Sequence, residues 1–171
     1  AGTDGQISYT HTDRALTFAA GGTTERLRIS SEGYVTKPAH PCFDVVRSGG
    51  NVSAGNYIIY NTVNVNNGAH YNASTGKFTA PVAGHYFFAF GTIKNNTNGV
   101  TRLYFRKNGS NFPTGADRHL RLDSGQNYGD NGAMTIVVSL AVGDEIQIYV
   151  SEGSAYGATQ EYCYFNGFLI G

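Results

Sequence analysis

Residues 75–91 read Thr-Gly-Lys-Phe-Thr-Ala-Pro-Val-Ala-Gly-His-Tyr-Phe-Phe-Ala-Phe-Gly, and they leave few folds open to this chain. Thr75 and Gly76 predict a turn into a short strand over 77–80, after which Pro81 and Gly84 re-aim the backbone. Side chains alternate along a strand, so Tyr86, Phe88 and Phe90 point one way and Phe87 and Ala89 the other. A strand with one wet face alternates apolar with polar residues. This one is apolar on both faces. One face can fill a core, and the other needs a second cover. A two-layer sandwich covers only one face of each sheet, so the expected cover is another copy of the chain. The alternative is a strand buried between two layers of one chain. The end of the chain repeats the pattern: Tyr162, Tyr164, Phe168 and Ile170 share one face, and Cys163, Phe165 and Leu169 the other. Gly167 removes a side chain where something comes close.

Composition narrows the function. The 171 residues suit one domain with a short appendage. Twelve Lys and Arg balance twelve Asp and Glu, with no clustered positive surface of the kind that tracks phosphates, so nucleic acid is not an expected partner. No apolar run is long enough to insert in a membrane as a helix, and no secretory leader is recognisable. The chain begins Ala-Gly-Thr, as expected of a piece of a longer or processed polypeptide. Gly 23, Tyr 12 and Phe 10 with no Trp suit strands joined by tight turns, and the glycines lack a Gly-X-Y period. Only 14% of residues are charged, against a typical quarter, and Asn, Ser, Thr and Gln supply the polarity, as in many extracellular and virion proteins. Cys42 and Cys163 are either two buried thiols or a bridge between the first and last strands of the main domain.

Two segments are expected, residues 1–38 and 39–171. In the first, the runs 6–11, 15–19 and 25–30 are strand-like but too short to bury much surface alone. Such a segment becomes stable if three chains wrap together. Pro38 and Pro41 bracket a stiff junction. Beyond it, Asn, Gly, Ser and Asp turn signals punctuate strand candidates over 43–47, 57–60, 77–79, 84–94, 101–107, 133–140, 145–150 and 162–170. No long helical period occurs. Many short strands at this spacing predict an all-β sandwich or jelly roll.

Six ordered pieces resemble the globular domain of the C1q and tumour-necrosis-factor-like superfamily: Phe43-Asp-Val, Asn67-Gly-Ala-His-Tyr71, the stretch 75–88, Lys107-Asn-Gly109, Leu140-Ala-Val-Gly-Asp-Glu-Ile146 and Phe165-Asn-Gly-Phe-Leu-Ile170. The resemblance runs from Cys42 to Gly171. It implies a homotrimeric jelly-roll sandwich whose interface includes Tyr86, Phe87, Phe88, Tyr164, Phe168 and Ile170. Residues 1–41 carry no collagen-like Gly-X-Y repeat. Instead Gly5-Gln-Ile-Ser-Tyr9, Arg14-Ala-Leu-Thr-Phe18 and Thr24 to Gly33 resemble the shaft repeats before the tips of bacteriophage tail fibres.

Signs of catalysis are lacking. His11, His40, His70, His85 and His119 are scattered without metal-ligand spacing, and no nucleophile or phosphate-loop motif occurs. A glycosidase would need two facing carboxylates, which sequence does not display. The chain is read as a non-enzyme without an obligate cofactor. Calcium is the one candidate ion. The loop 123–131 is rich in hard oxygens. Asp130 falls where several C1q-like domains carry an apical calcium ligand, and Asp123 lies near, not on, a second such position. Sequons stand at Asn51, Asn72, Asn95 and Asn108. A trimer presents three copies of each loop, so weak contacts gain avidity. The loops 94–99, 110–118 and 151–160 are the expected display sites. Arg118, His119, Arg121, Tyr128 and Tyr156 are the groups suited to sugars or acidic surfaces. The resulting expectation is the tip of a trimeric phage virion fibre that joins upstream fibre proteins and binds a host-surface glycan or protein. The rivals are a purely structural virion protein and a secreted C1q-like lectin or ligand.

Overall fold

The computed structural model describes residues 4–95, 99–112, 118–123, 131–157 and 162–171. Among these, every regular element is a strand. The chain separates into two compact units, Ala1–His40 and Pro41–Gly171.

In the first unit β1 (Gly5–Thr10), β2 (Ala15–Ala20), β3 (Glu25–Ile29) and β4 (Val35–Thr36) form an antiparallel meander. Ile7 lies opposite Phe18, which lies opposite Leu27. The Ser8 and Thr17 hydroxyls bond at 2.7 Å, and Arg28 forks onto Glu25 at 2.9 and 2.7 Å. A single thin sheet leaves apolar side chains wet: Ile7 is 70% exposed within one chain.

The second unit contains β5 (Cys42–Val46), β6 (Val52–Ser53), β7 (Asn56–Tyr57), β8 (Thr62–Asn67), β9 (Tyr71–Asn72), β10 (Lys77–Thr79), β11 (Gly84–Ile93), β12 (Thr101–Lys107), β13 (Ser110–Phe112), β14 (Leu120–Leu122), β15 (Asn131–Leu140), β16 (Glu145–Glu152), β17 (Ser154–Ala155) and β18 (Tyr164–Leu169). One sheet runs β15-β11-β18-β5-β8. The other runs β13-β12-β16-β10-β9, with β14 added on β12 and β7 on β16, and β6 pairs with β17. The inner faces close on each other in a C1q/TNF-like jelly roll. Phe43, Phe78, Phe88 and Phe165 are buried at the centre, with the Phe43 ring 5.2 Å from Phe78 and 4.8 Å from Phe165. Tyr71 donates its hydroxyl to the Tyr60 carbonyl at 3.0 Å and accepts from the Tyr60 amide at 3.2 Å, so a buried polar group is satisfied from both sides. Burial pushes both phenols to titrate well above their ordinary range.

Two contacts carry predictions of their own. Arg47 donates to the carbonyls of Gly50, Ile59 and Gly49 at 3.1, 2.8 and 2.7 Å, clamping the loop after β5. A lysine ammonium cannot serve three diverging carbonyls as the guanidinium fork does. Arg47→Lys is expected to destabilise the domain by about 2–3 kcal/mol, measured as a lowered urea midpoint. At the other contact, two of the sequence pieces dock together. The Asp144 carboxylate accepts from Lys107 Nζ at 2.8 Å, Asn108 Nδ2 at 2.8 Å and the Ala141 amide at 2.7 Å. The Lys107 bond leads these in holding its carboxyl at about 2, below the ordinary 3.8. The folded-state value is depressed, so this stabilisation is complete above the unfolded value and fades as pH falls toward 2. Asp144→Asn is expected to flatten the loss of stability between about pH 4 and 2, read from melting temperatures across that range.

Candidate functional site

Strand register builds an apolar row on the outward face of the first sheet. Val137 lies opposite Phe87, Phe87 opposite Phe168, and Phe168 opposite Cys42, so the row crosses β15, β11, β18 and β5. The Phe87 and Phe168 rings are 5.3 Å apart. Val137 is 64% exposed and Phe168 45%. Tyr164 lies over Gly91, where a Cβ would meet its ring at 2.3 Å, so only glycine admits the tyrosine there. Cys42, Asp44, Val65, Asn166 and Phe168 rim a shallow depression beside the row. Ile170 is exposed just beyond β18.

Two of the expected interface residues do not belong to this face. Tyr86 and Phe88 are completely buried inside one chain. Tyr86 donates its hydroxyl to the Val82 carbonyl at 2.8 Å, and Phe88 packs 5.2 Å from Phe78. Alternation sends them into the core and turns Phe87 outward. Gly167 faces inward as well, and what comes close to it is the Phe88 ring.

The cysteines are thiols. Cys42 lies opposite Phe168, and Cys163, just before β18, is five residues from Phe168 along the chain, about 17 Å at strand spacing and far beyond disulfide reach. Burial raises the Cys163 thiol to about 11. Cys163 is therefore expected to resist iodoacetamide at pH 8 in the folded protein and to react only after denaturation, as followed by mass spectrometry.

The predicted loop residues meet only in some places. Lys94 is fully buried, bridges Ala155 through its backbone, and donates Nζ to the Asp123 carbonyl at 2.6 Å. It thereby draws Asp123 toward the segment carrying Tyr156, a lysine that no sequence motif signalled. Arg121 is exposed and pairs with the Asp123 carboxylate at 2.7 Å. A calcium ion at Asp123 would have to displace that guanidinium. Asp130 and Tyr128 lie outside the described residues. Among the described residues no three His, Cys, Asp or Glu side chains gather into a metal cluster. Arg118 is exposed, Tyr156 stands 6.1 Å from Tyr162 edge-on, and His119 packs 5.3 Å from Tyr104. Of the sequon residues, Asn108 has its side chain occupied by Asp144 and the Glu145 amide.

Residues absent from the expected set stand beside His119. On the outward face of the second sheet Tyr104 lies opposite Tyr149, and Tyr149 opposite Tyr57. Arg106 holds its guanidinium 3.4 Å from the Tyr149 ring centre. The alternation Arg102-Leu-Tyr-Phe-Arg106 already puts Tyr104 and Arg106 on one face, but their cross-strand neighbours depend on register.

The described geometry is that of a C1q/TNF-like jelly roll whose first sheet carries an apolar row on its outward face as well as on its core face. The family model of the C1q domain matches residues 42–170, and the chain belongs to the C1q domain family. It is 31% identical over 113 residues to the human complement C1q tumor necrosis factor-related protein 3, covering 66% of this chain and 44% of that protein. The chain thus spans less than half the length of this curated relative. The globular domain of zebrafish complement 1qA superposes with a TM-score of 0.57 at 24% identity, over 77% of this chain and 98% of that one. The PRD1 vertex protein superposes with a TM-score of 0.53 at 14% identity, over 78% and 99%.

Proposed function

We propose that this chain is the distal portion of a homotrimeric phage fibre that attaches to a host surface by binding, without covalent chemistry. The row Val137–Phe87–Phe168–Cys42 carries the trimeric reading. It is a continuous apolar surface across four strands that one chain leaves in water. Three copies meeting on this sheet hide it, and closed symmetry limits the assembly. The wet apolar residues of the first unit favour the same three-chain arrangement and a shaft role. The fold shared with the PRD1 vertex protein supports a place on a virion, where upstream fibre proteins are the natural partners. Three copies of the Arg118–Asp123 segment and of Tyr156 supply avidity for a host glycan or protein.

A second reading, a secreted C1q-like ligand, is favoured by the identity to the human C1q tumor necrosis factor-related protein. Two measurements separate them. The assembled protein is expected to bind host cells saturably and to be recovered from purified virions. Absence of cell binding at saturating concentration sinks attachment, and recovery from a secretome rather than from particles favours the second reading.

A further inference from the structure

We propose that Arg106 and Tyr104, on the outward face of the second sheet, form a binding site for an acidic saccharide. This assignment rests on the attachment reading and names its ligand class. The Arg106 guanidinium is stacked on Tyr149 at 3.4 Å and lies 5.5 Å from the Tyr57 ring centre. Its Nε donates to Asn111 Oδ1 at 2.9 Å and its Nη1 to the Tyr57 hydroxyl at 3.1 Å. Of the five N–H donors a guanidinium carries, three are left over. No carboxylate pairs with it among the described residues. The acids of this sheet are committed elsewhere: Glu152 holds Arg102 at 2.9 Å and Glu145 holds Lys77 at 2.7 Å.

The result is a cation fixed in plane and position by two tyrosines and an asparagine, without a counter-charge among the described residues. A pre-set guanidinium fork suits a carboxylate and binds it with charge-assisted bonds. Fixing it in advance lowers the ordering cost of that bond. Tyr104 follows on the same face two residues along β12, about 7 Å away at strand spacing. His119 packs against its ring at 5.3 Å, tilted 41°. A sugar ring whose carboxylate sits on Arg106 can lie against Tyr104, an aromatic surface that meets the apolar side of a saccharide.

The test titrates the full, assembled chain with oligogalacturonate and with its neutral methyl ester, by calorimetry. The acid form is expected to bind at least tenfold more tightly. Arg106→Gln and Arg106→Lys are each expected to lose at least tenfold for the acid form and little for the ester, because lysine keeps the charge but neither forks nor stacks. Tyr104→Ala is expected to lose severalfold for both, and Lys37→Gln, a charge-matched control in the first unit, nothing. Should the variants misfold, the Arg106 Nε–H resonance of the unmodified protein is read during the titration, and its failure to shift overturns the site. Equal binding of acid and ester overturns it as well. Displacement by inorganic phosphate as effective as by free galacturonate overturns the saccharide assignment and leaves an oxyanion site. Host-cell binding is measured in parallel. Wild-type attachment undiminished in Arg106→Gln defeats this site alone, whereas a wild-type protein that binds oligogalacturonate but no host cell defeats the attachment reading alone.

Discussion

Replacing Gly167 with alanine is expected to destabilise the second unit by about 3 kcal/mol, with a matching fall in its urea midpoint. The added Cβ would lie 2.3 Å from Phe88 Cδ1, 2.7 Å from Cε1 and 2.9 Å from the Phe87 carbonyl oxygen. None of these atoms is the free end of a flexible chain. The Phe88 ring is wedged against Phe43, Phe78, Tyr86 and Phe165, and the carbonyl belongs to the β11 backbone. The substitution must therefore move a core ring or push β11 and β18 apart. Phe88→Ala alone leaves a cavity and should cost about 3–5 kcal/mol. In the double variant the alanine methyl at 167 occupies space the ring has vacated. The two losses are then expected to fall short of their sum by about 1 kcal/mol or more, at the scale seen for touching residues, about 0.5–3 kcal/mol. Strictly additive losses would show that the ring does not limit position 167. All comparisons need one protein concentration, because self-association of the kind proposed adds to apparent stability.

If the chain trimerises through the outward face of its first sheet as proposed, Phe168→Asp is expected to convert the trimer into a folded single-copy species at micromolar concentration. Phe168 is half exposed within one chain and centred in the apolar row, so its replacement removes little from the core of that chain. In the assembly it would put three carboxylates into a surface closed to water. An uncompensated buried charge costs several kcal/mol, and three near a symmetry axis also repel one another. A fall in association of at least about a thousandfold follows, read by sedimentation velocity. Cys42, opposite Phe168, supplies an internal check, since its thiol should be shielded from alkylation in the trimer and accessible in the variant. A variant that still sediments as a trimer would move self-association to another surface.

The strands with a large inward face are legible from residue order. Tyr86, Phe88 and Phe90, then Leu103 and Phe105, then Ile136, Val138 and Leu140 recur at every second position, and those groups are ones that meet in the core. β8 is not, because Thr-Val-Asn-Val-Asn-Asn is an edge strand wet on one side and largely polar. The three-residue β13 and β14 are too short to show a period. Residues 57–60 read as one strand, whereas pairing on β16 is regular only at Asn56–Tyr57, and Ile58 and Tyr60 continue into the core without a ladder. A strand apolar on both sides is recognisable in 84–91, but its pattern does not reveal which side faces inward. Residue order alone therefore groups Tyr86 and Phe88 with Phe87. The Arg106 cluster is hidden for a different reason. Tyr57, Tyr104 and Tyr149 are far apart in the chain, and only strand register makes them neighbours.

The C1q-like unit starts and finishes at one place. The Leu169 amide donates to the Pro41 carbonyl at 3.0 Å, and the Gly171 carbonyl accepts from the His85 amide at 2.8 Å. Lys94, Asp123 and Tyr156 gather at the opposite end of β11, whose ten residues span about 30 Å. Cargo fused after Gly171 would accordingly emerge beside the entry point at Pro41, a strand's length from those segments. The same adjacency lets a short linker splice the old ends together and new ones be opened in an exposed turn, so the unit is a natural candidate for circular permutation and for display of foreign peptides.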